Sequence, residues 1–119
     1  MNAINLNQKF SLFNDLWNPR VIAELNGQQL KIAKVKGEFV WHDHKDEDEL
    51  FFIIKGTLKI LFRDKTVELN AGDLLVVPKG VEHKPVAEAE VWMVLFEPAN
   101  IKHTGDVISD LTVDSYQSI

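Results

Sequence analysis

Short β-like runs separated by turn residues repeat through most of the chain. The runs are VIAEL (21–25), QLKIAKV (29–35), FVWH (39–42), ELFFII (49–54), TLKILF (57–62), TVEL (66–69), LLVV (74–77) and VWMVLFE (91–97). Turn signals such as Asn26-Gly27, Lys55-Gly56 and Asp64-Lys65 lie between them. About eight or nine such strands in a chain of 119 residues predict an all-β fold with a single domain, either a closed barrel or a sandwich.

The two ends of the chain lack this pattern. Residues 1–18 are predicted to form an N-terminal arm, in which LFNDLW (12–17) is either one helical turn or a segment lying over the body. Pro19 prevents a helix from continuing at that point. We therefore expect the barrel over residues 19–98 and a C-terminal tail over 99–119, packed on the barrel or on a partner subunit. Within the barrel, Gly37 is expected to end the second strand.

Composition excludes several classes of protein. Apolar residues make up 45% and charged residues 26% of the chain, values typical of folded globular domains rather than disordered ones. No apolar run approaches the length that crosses a bilayer, and the N-terminus lacks the basic and then apolar pattern of a signal peptide. There is no cysteine, so disulfides and thiolate ligands are excluded. These features predict a soluble, cytoplasmic protein without a membrane partner.

The charge of the chain argues against nucleic-acid binding. The net charge is −5, and the Lys and Arg residues are scattered rather than gathered in a stripe. A nucleic-acid-binding face needs clustered basic residues that neutralise phosphates. The predicted partners are instead a small molecule and a second copy of the chain.

The stretch WHDHKDEDELFFIIKG (41–56) places two histidines beside the most apolar predicted strand. Alternate residues of a strand point to one face, so His42 and His44 are expected to project together and Glu49 to share the inward face of the next strand. Imidazoles and a carboxylate buried together are costly unless paired, and a divalent cation would remove that cost. The alternatives are that the histidines belong to a solvated turn, or that the acidic ligand is Asp48 or Glu47.

A further histidine follows a turn in GDLLVVPKGVEHKP (72–85). Pro78 and Gly80 shape this turn, and His83 begins a new predicted strand, where it is either a fourth ligand or a core histidine with ordinary partners. The remaining histidine, His103, lies in an irregular polar segment and is expected at the surface. Lys79 and Lys84 lie on either side of His83 and either contact an anionic substrate or are simply exposed.

Residues 37–87 resemble the two sequence motifs of the cupin superfamily. The matching positions of the first motif are Gly37, His42, His44, Glu49 and Gly56, and those of the second are Gly72, Pro78, Gly80 and His83. The spacer after Gly37 is one residue shorter than usual in the family, and Ala87 stands where the second motif ends in asparagine. The resemblance implies a small single-domain cupin with a jelly-roll β-barrel.

The resemblance also implies a metal centre. Its ligands would be His42, His44, Glu49 and His83, a set that suits Mn, Fe, Ni, Co, Cu or Zn. Four protein ligands on an ion that prefers six leave positions for water or substrate. The implied function is metal binding with a small-molecule site in the barrel, and we expect a metal-dependent enzyme of the dioxygenase, isomerase or lyase type. The alternative is a non-catalytic module that binds or senses a small, sugar-like molecule.

An exposed edge strand on a short barrel invites pairing with another chain. Because cupins of this size are commonly dimers, the resemblance implies a homodimer with a two-fold axis. The N-terminal arm is a candidate for exchange between the two subunits.

Overall fold

Seven antiparallel strands form the body of the protein in the computed structural model, which describes residues 1–99, 105, 107–113 and 115–119. A single short helix precedes them within this part of the chain. The elements are α1 (Leu6–Phe10), β1 (Arg20–Leu25), β2 (Gln28–Glu38), β3 (Glu49–Lys55), β4 (Thr57–Phe62), β5 (Thr66–Asn70), β6 (Leu74–Val77) and β7 (His83–Pro98). The architecture is the predicted all-β jelly-roll barrel.

The longest strand, β7, connects the two halves of the barrel. Its first residues pair with β4, from Phe62 opposite His83 to Lys59 opposite Val86. Its second half lies between β2 and β3, giving the strand order β1-β2-β7-β3-β6. This one strand of 16 residues pairs with three others. His83, its first residue, is therefore held in the same sheet as β3.

The apolar core fills the barrel. Alternate residues of the central strands point inward and are almost fully buried, as expected for a closed sheet. They include Ala33, Val35, Phe51, Ile53, Leu58, Ile60, Val91, Met93 and Leu95. On β2 every residue from Lys31 to Val35 is buried, because a second apolar cluster covers the outer face of this strand.

The N-terminal arm forms that second cluster. Phe10 and Phe13 are buried on the outside of the sheet against Ile32 and Val94. The ammonium group of Lys34 donates a hydrogen bond of 2.7 Å to the carbonyl oxygen of Phe13. The arm is therefore packed on its own chain, and its exchange between subunits stays a prediction.

The described part of the C-terminal tail also returns to the barrel. The Val21 amide donates to the carbonyl of Gln117 (2.9 Å), and the Ile119 amide donates to the carbonyl of Val21 (3.0 Å). Leu111 packs against the inner core. His103 lies outside the described residues, so the prediction that it is exposed is not tested.

Three strand predictions are wrong in detail. FVWH (39–42) is not a strand but part of the connection between β2 and β3, with a single β-bridge at His42. Gly37 does not end β2: the strand continues to Glu38 through an irregularity after Val35, where Gly37 adopts a φ of +87° that a glycine accepts without strain. Residues 83–98 form one strand instead of two, so the described chain has seven strands rather than eight or nine.

Strand β6 forms an edge of the sheet. Among the described strands it pairs only with β3, and none of its four residues is charged. Leu74 is 58% exposed and Val76 is 48% exposed. Natural edge strands usually carry charges or a cover, so this edge is a candidate contact surface.

The structure contains no membrane-spanning helix among the residues it describes. A helix that crosses a bilayer needs about 20 residues, and α1 has five.

We predict that Phe51→Ala lowers the free energy of unfolding by about 3 to 5 kcal/mol, because Phe51 is only 3% exposed and its removal leaves a cavity in the core. Denaturant unfolding followed by circular dichroism measures the change. Leu25→Ala, at an exposed position on β1, is the control and should change stability by less than about 1 kcal/mol. Equal effects of the two substitutions would contradict the inward packing of Phe51.

Candidate metal centre

The structure brings the four predicted ligand residues together inside the barrel. His42 and His44 come from the connection between β2 and β3, Glu49 is the first residue of β3, and His83 is the first residue of β7. One ligand atom from each lies within 4.8 Å of all the others. All four side chains are buried, with exposures of 1 to 6%.

Backbone hydrogen bonds hold the first histidine against the fourth. The amide of His42 donates to the carbonyl of His83 (3.0 Å), and the amide of His83 donates to the carbonyl of His42 (2.9 Å). This reciprocal pair brings the two imidazole rings to a centroid separation of 4.3 Å. A bridge rather than a continuous strand thus gives His42 its inward direction.

The turn after β6 positions the second histidine. The amide of Gly80 donates to the carbonyl of His44 (2.8 Å), and the amide of Lys79 donates to a carboxylate oxygen of Asp48 (2.9 Å). Asp48 therefore serves the turn from an exposed position, and Glu47 is only partly buried. Of the acidic residues considered as ligands, Glu49 is the one that faces the histidines.

For two of the histidines, the hydrogen-bond partner shows which ring nitrogen carries the hydrogen. Nδ1 of His42 lies 2.9 Å from the carbonyl oxygen of Val40, and Nδ1 of His83 lies 2.9 Å from that of Val81. A carbonyl oxygen only accepts hydrogen bonds, so each Nδ1 carries the hydrogen and each neutral ring presents the lone pair of Nε2 to the interior. Metal-binding histidines are commonly oriented in this way.

The inward-facing atoms have no hydrogen-bond partners among the described residues. These are Nε2 of His42, His44 and His83 and Oε1 of Glu49. The nearest contacts run from Glu49 to the Nε2 atoms of His44 (3.3 Å) and His83 (3.4 Å). Buried polar atoms of native proteins nearly always have partners, and a cation would satisfy all four at once.

The pKa shifts of Glu49, His42 and His44 follow from their burial and their closeness to one another. Burial alone would raise the pKa of Glu49, but its contacts with His44 and His83 outweigh burial and hold that pKa well below its usual range. Burial together with the nearby His83 lowers the pKa of His42 to about 4. For His44, burial lowers the pKa, but the Glu49 carboxylate outweighs it and the net shift is upward. At neutral pH the site thus contains an ionised Glu49 and a neutral His42.

An apolar cavity of about 20 Å³ adjoins the site. Its walls include His42 and Glu49 as well as Trp17, Phe39, Phe51 and Met93. Trp17 stacks on Phe39 with ring centroids 4.6 Å apart, and Phe39 meets His42 edge to face at 5.4 Å. This volume holds about one water molecule, so a larger ligand has to displace part of the wall.

The lysines beside His83 give no support to an anion site. Lys84 pairs with Glu38 at 3.1 Å, and the side chain of Lys79 is exposed on the turn. Asp46 is exposed and Asp43 half-buried, as expected for a solvated acidic loop.

The sequence interpretation missed a second buried polar pair near the ligands. Lys31 and Glu97 are fully buried, and Nζ of Lys31 lies 3.1 Å from Oε1 of Glu97. Strand alternation contained the signal, because Lys31 shares a face with Ala33 and Val35, and Glu97 shares one with Met93 and Leu95.

Comparison with known proteins agrees with the fold and the motifs. The family model described as a cupin domain matches residues 30–97. A crystal structure of a cupin-2 domain protein from Shewanella frigidimarina is 57% identical, with a TM-score of 0.80 over 81% of this chain and 94% of that chain.

Two curated proteins match a shorter region. The uncharacterised protein YdbB of Bacillus subtilis is 45% identical over 64 residues, which are 53% of this chain and 57% of that protein. An acireductone dioxygenase of Yarrowia lipolytica is 37% identical over 65 residues, which are 50% of this chain and 37% of that enzyme. The chain therefore spans less than two thirds of either relative. Since the family model covers more than half of this chain and its Shewanella relative shares the fold, the protein belongs to the cupin family.

Proposed function

We propose that this cupin binds one divalent transition-metal ion through His42, His44, Glu49 and His83, and that the bound ion takes a small-molecule ligand in the barrel. The proposal is carried by the four buried ligand atoms that lie within 4.8 Å of one another and lack hydrogen-bond partners in the described chain. Three imidazoles and one carboxylate suit Mn, Fe, Co, Ni, Cu or Zn.

We further propose that the site is catalytic, in a metal-dependent enzyme of the dioxygenase, isomerase or lyase type. When bound, the ion would supply Lewis acidity to a coordinated oxygen atom of the substrate. The Nδ1 hydrogen bonds of His42 and His83 hold the rings in the orientation that ligation needs. The apolar wall of Trp17 and Phe39 excludes bulk water from the same space. The similarity to acireductone dioxygenase supports the oxygenase class in particular.

A ligand screen in the presence and absence of metal tests the catalytic proposal. A compound present at a hundred times its dissociation constant should add about 2.7 kcal/mol of stability, which a thermal-shift assay detects. Compounds that stabilise only the metal-loaded protein are then tested for turnover, with oxygen consumption as one readout. Metal-dependent turnover supports an enzyme, whereas stabilisation without turnover of any compound identifies a binding or sensing module.

We predict that His42→Ala and Glu49→Gln each lose most of the bound metal and keep the circular dichroism spectrum of the wild type, because the apolar core closes the barrel without the ion. Mass spectrometry of protein purified without chelators should give close to one ion per wild-type chain. Glu88→Gln, at an exposed glutamate outside the site, is the matched control and should retain the ion. Equal metal content in wild type and His42→Ala would remove the ligand assignment, and unfolding of Glu49→Gln would make the ion structural.

Metal affinity is predicted to fall as pH is lowered from about 7.5 to about 5. Metal binding needs neutral imidazoles, and the raised pKa of His44 means that a proton competes for this ring already above its usual value near 6.5. The pKa of His42, about 4, keeps that ring neutral over the whole interval. Calorimetric titration with Co²⁺ in this range measures the effect, and a pH-independent dissociation constant would contradict it.

We propose that the subunit forms a homodimer by pairing β6 with β6 of a second copy. When an uncharged edge strand pairs antiparallel with its own copy, the pair has a two-fold axis, and the unpaired backbone N–H and C=O groups of both edges form hydrogen bonds.

Light scattering is expected to give twice the chain mass of 13.6 kDa for the wild type, and the mass of one chain for Val76→Lys. Leu25→Lys, at an exposed position on β1, is the control and should leave the mass unchanged. A wild-type mass of one chain at micromolar concentration would refute the dimer.

A further inference from the structure

A buried ion pair lies beside the proposed metal ligands. Lys31 is 0% exposed and Glu97 is 1% exposed, and their Nζ and Oε1 atoms are 3.1 Å apart. Removing two charged groups from water is costly, and a pair of this kind often contributes little to stability. The position of the pair in the barrel therefore calls for a reason other than stability.

Strand register places Glu97 opposite the acidic ligand. In the antiparallel pairing of β3 with β7, Leu50 faces Phe96 and Phe51 faces Leu95. The next step of the same register sets Glu49 opposite Glu97, and both side chains point inward. The register thus places the two carboxyl groups side by side on adjacent strands, and both side chains are buried.

One unpartnered oxygen of Glu97 is consistent with this placement. Among the described residues, Oε2 of Glu97 is buried without a hydrogen-bond partner, whereas Oε1 of Glu97 contacts Lys31. Two carboxylates repel each other, but a single proton between them provides one donor and one acceptor. A proton on Oε2 of Glu97 would thus join this side chain to Glu49, while Lys31 holds Oε1.

Lys31 is itself held from the other side. Its ammonium lies 4.0 Å from the centroid of the Tyr116 ring, which the C-terminal tail brings onto the barrel. A cation over an aromatic face is stabilised where water is absent. Tyr116 and Glu97 thus restrict Lys31, and Lys31 in turn restricts Glu97.

We propose that Glu97, anchored by Lys31, is a positioning residue that orients the carboxylate of Glu49 toward the metal. This inference rests on the proposed metal site. Glu97 is not among the four groups whose ligand atoms converge within 4.8 Å, so it acts through Glu49 rather than as a ligand. Partners that hold a metal-binding carboxylate commonly change metal affinity by about 10- to 100-fold when they are removed.

Three variants isolate this role. Glu97→Gln keeps an acceptor for Lys31 and an N–H donor for Glu49, so it should bind Co²⁺ within about threefold of wild type. Glu97→Asp keeps the carboxyl group but withdraws it by one methylene. The double variant K31M/E97L removes both members of the pair, so no unpaired charge stays buried. Glu97→Asp and K31M/E97L should each bind Co²⁺ about 10- to 100-fold more weakly than the wild type.

Calorimetry and the visible absorption spectrum of bound Co²⁺ are the readouts, since the spectrum reports ligand geometry independently of fold stability. The control K59M/E88L changes an exposed ion pair and should match wild type in both readouts. Wild-type affinity and spectrum in Glu97→Asp, or in K31M/E97L where it folds, would overturn the positioning role while leaving the metal site in place. Failure of the wild type to bind Co²⁺ or any other of the proposed ions would instead overturn the metal site, and this inference with it.

Discussion

The reciprocal backbone hydrogen bonds between His42 and His83 are the interaction on which the site depends. They join a connection that has no regular secondary structure to the first residue of the longest strand. Because β7 also pairs with β3, the same framework sets Glu49 against both histidines. Without this bridge, only the backbone hydrogen bonds from Phe39 to Pro85 and from Gly80 to His44 would hold the connection within the described chain, and the ring of His42 would lose the direction it shares with His83.

Sequence patterns predicted the strands well where one face is buried and the other is not. The runs at 49–54, 57–62 and 74–77 match β3, β4 and β6 to within a residue, because each is a short apolar run bounded by turn residues. The pattern predicted β2 as a strand but did not predict that every residue from Lys31 to Val35 is buried, because the arm covers the outer face of this strand. The burial of Phe10 and Phe13 depends on tertiary contacts that no local period encodes.

The convergence of the four predicted ligand residues was foreseen for a partly incorrect physical reason. His42 and His44 do face inward together, but FVWH (39–42) is not a strand, and the bridge and the Gly80 amide direct the rings instead. Motif spacing carried the prediction where alternation did not apply. The Lys31–Glu97 pair lies outside the motif, and the sequence shows it only as two charged residues on otherwise apolar strand faces. Which residue each of them contacts follows only from the register of β2, β7 and β3.

Apolar and polar groups occupy separate parts of the interior. One region is filled by aliphatic side chains such as Leu58, Ile60 and Val91. Their burial does not depend on the histidines or on Glu49. The three histidines, Glu49 and the Lys31–Glu97 pair share the other region, where every charge faces a partner of opposite sign or a group that can hold a proton. Since buried charges add little net stability, the hydrophobic core has to stabilise the fold by itself. The polar region is then free to be shaped for the proposed ion, and we expect a substitution there to leave the barrel folded.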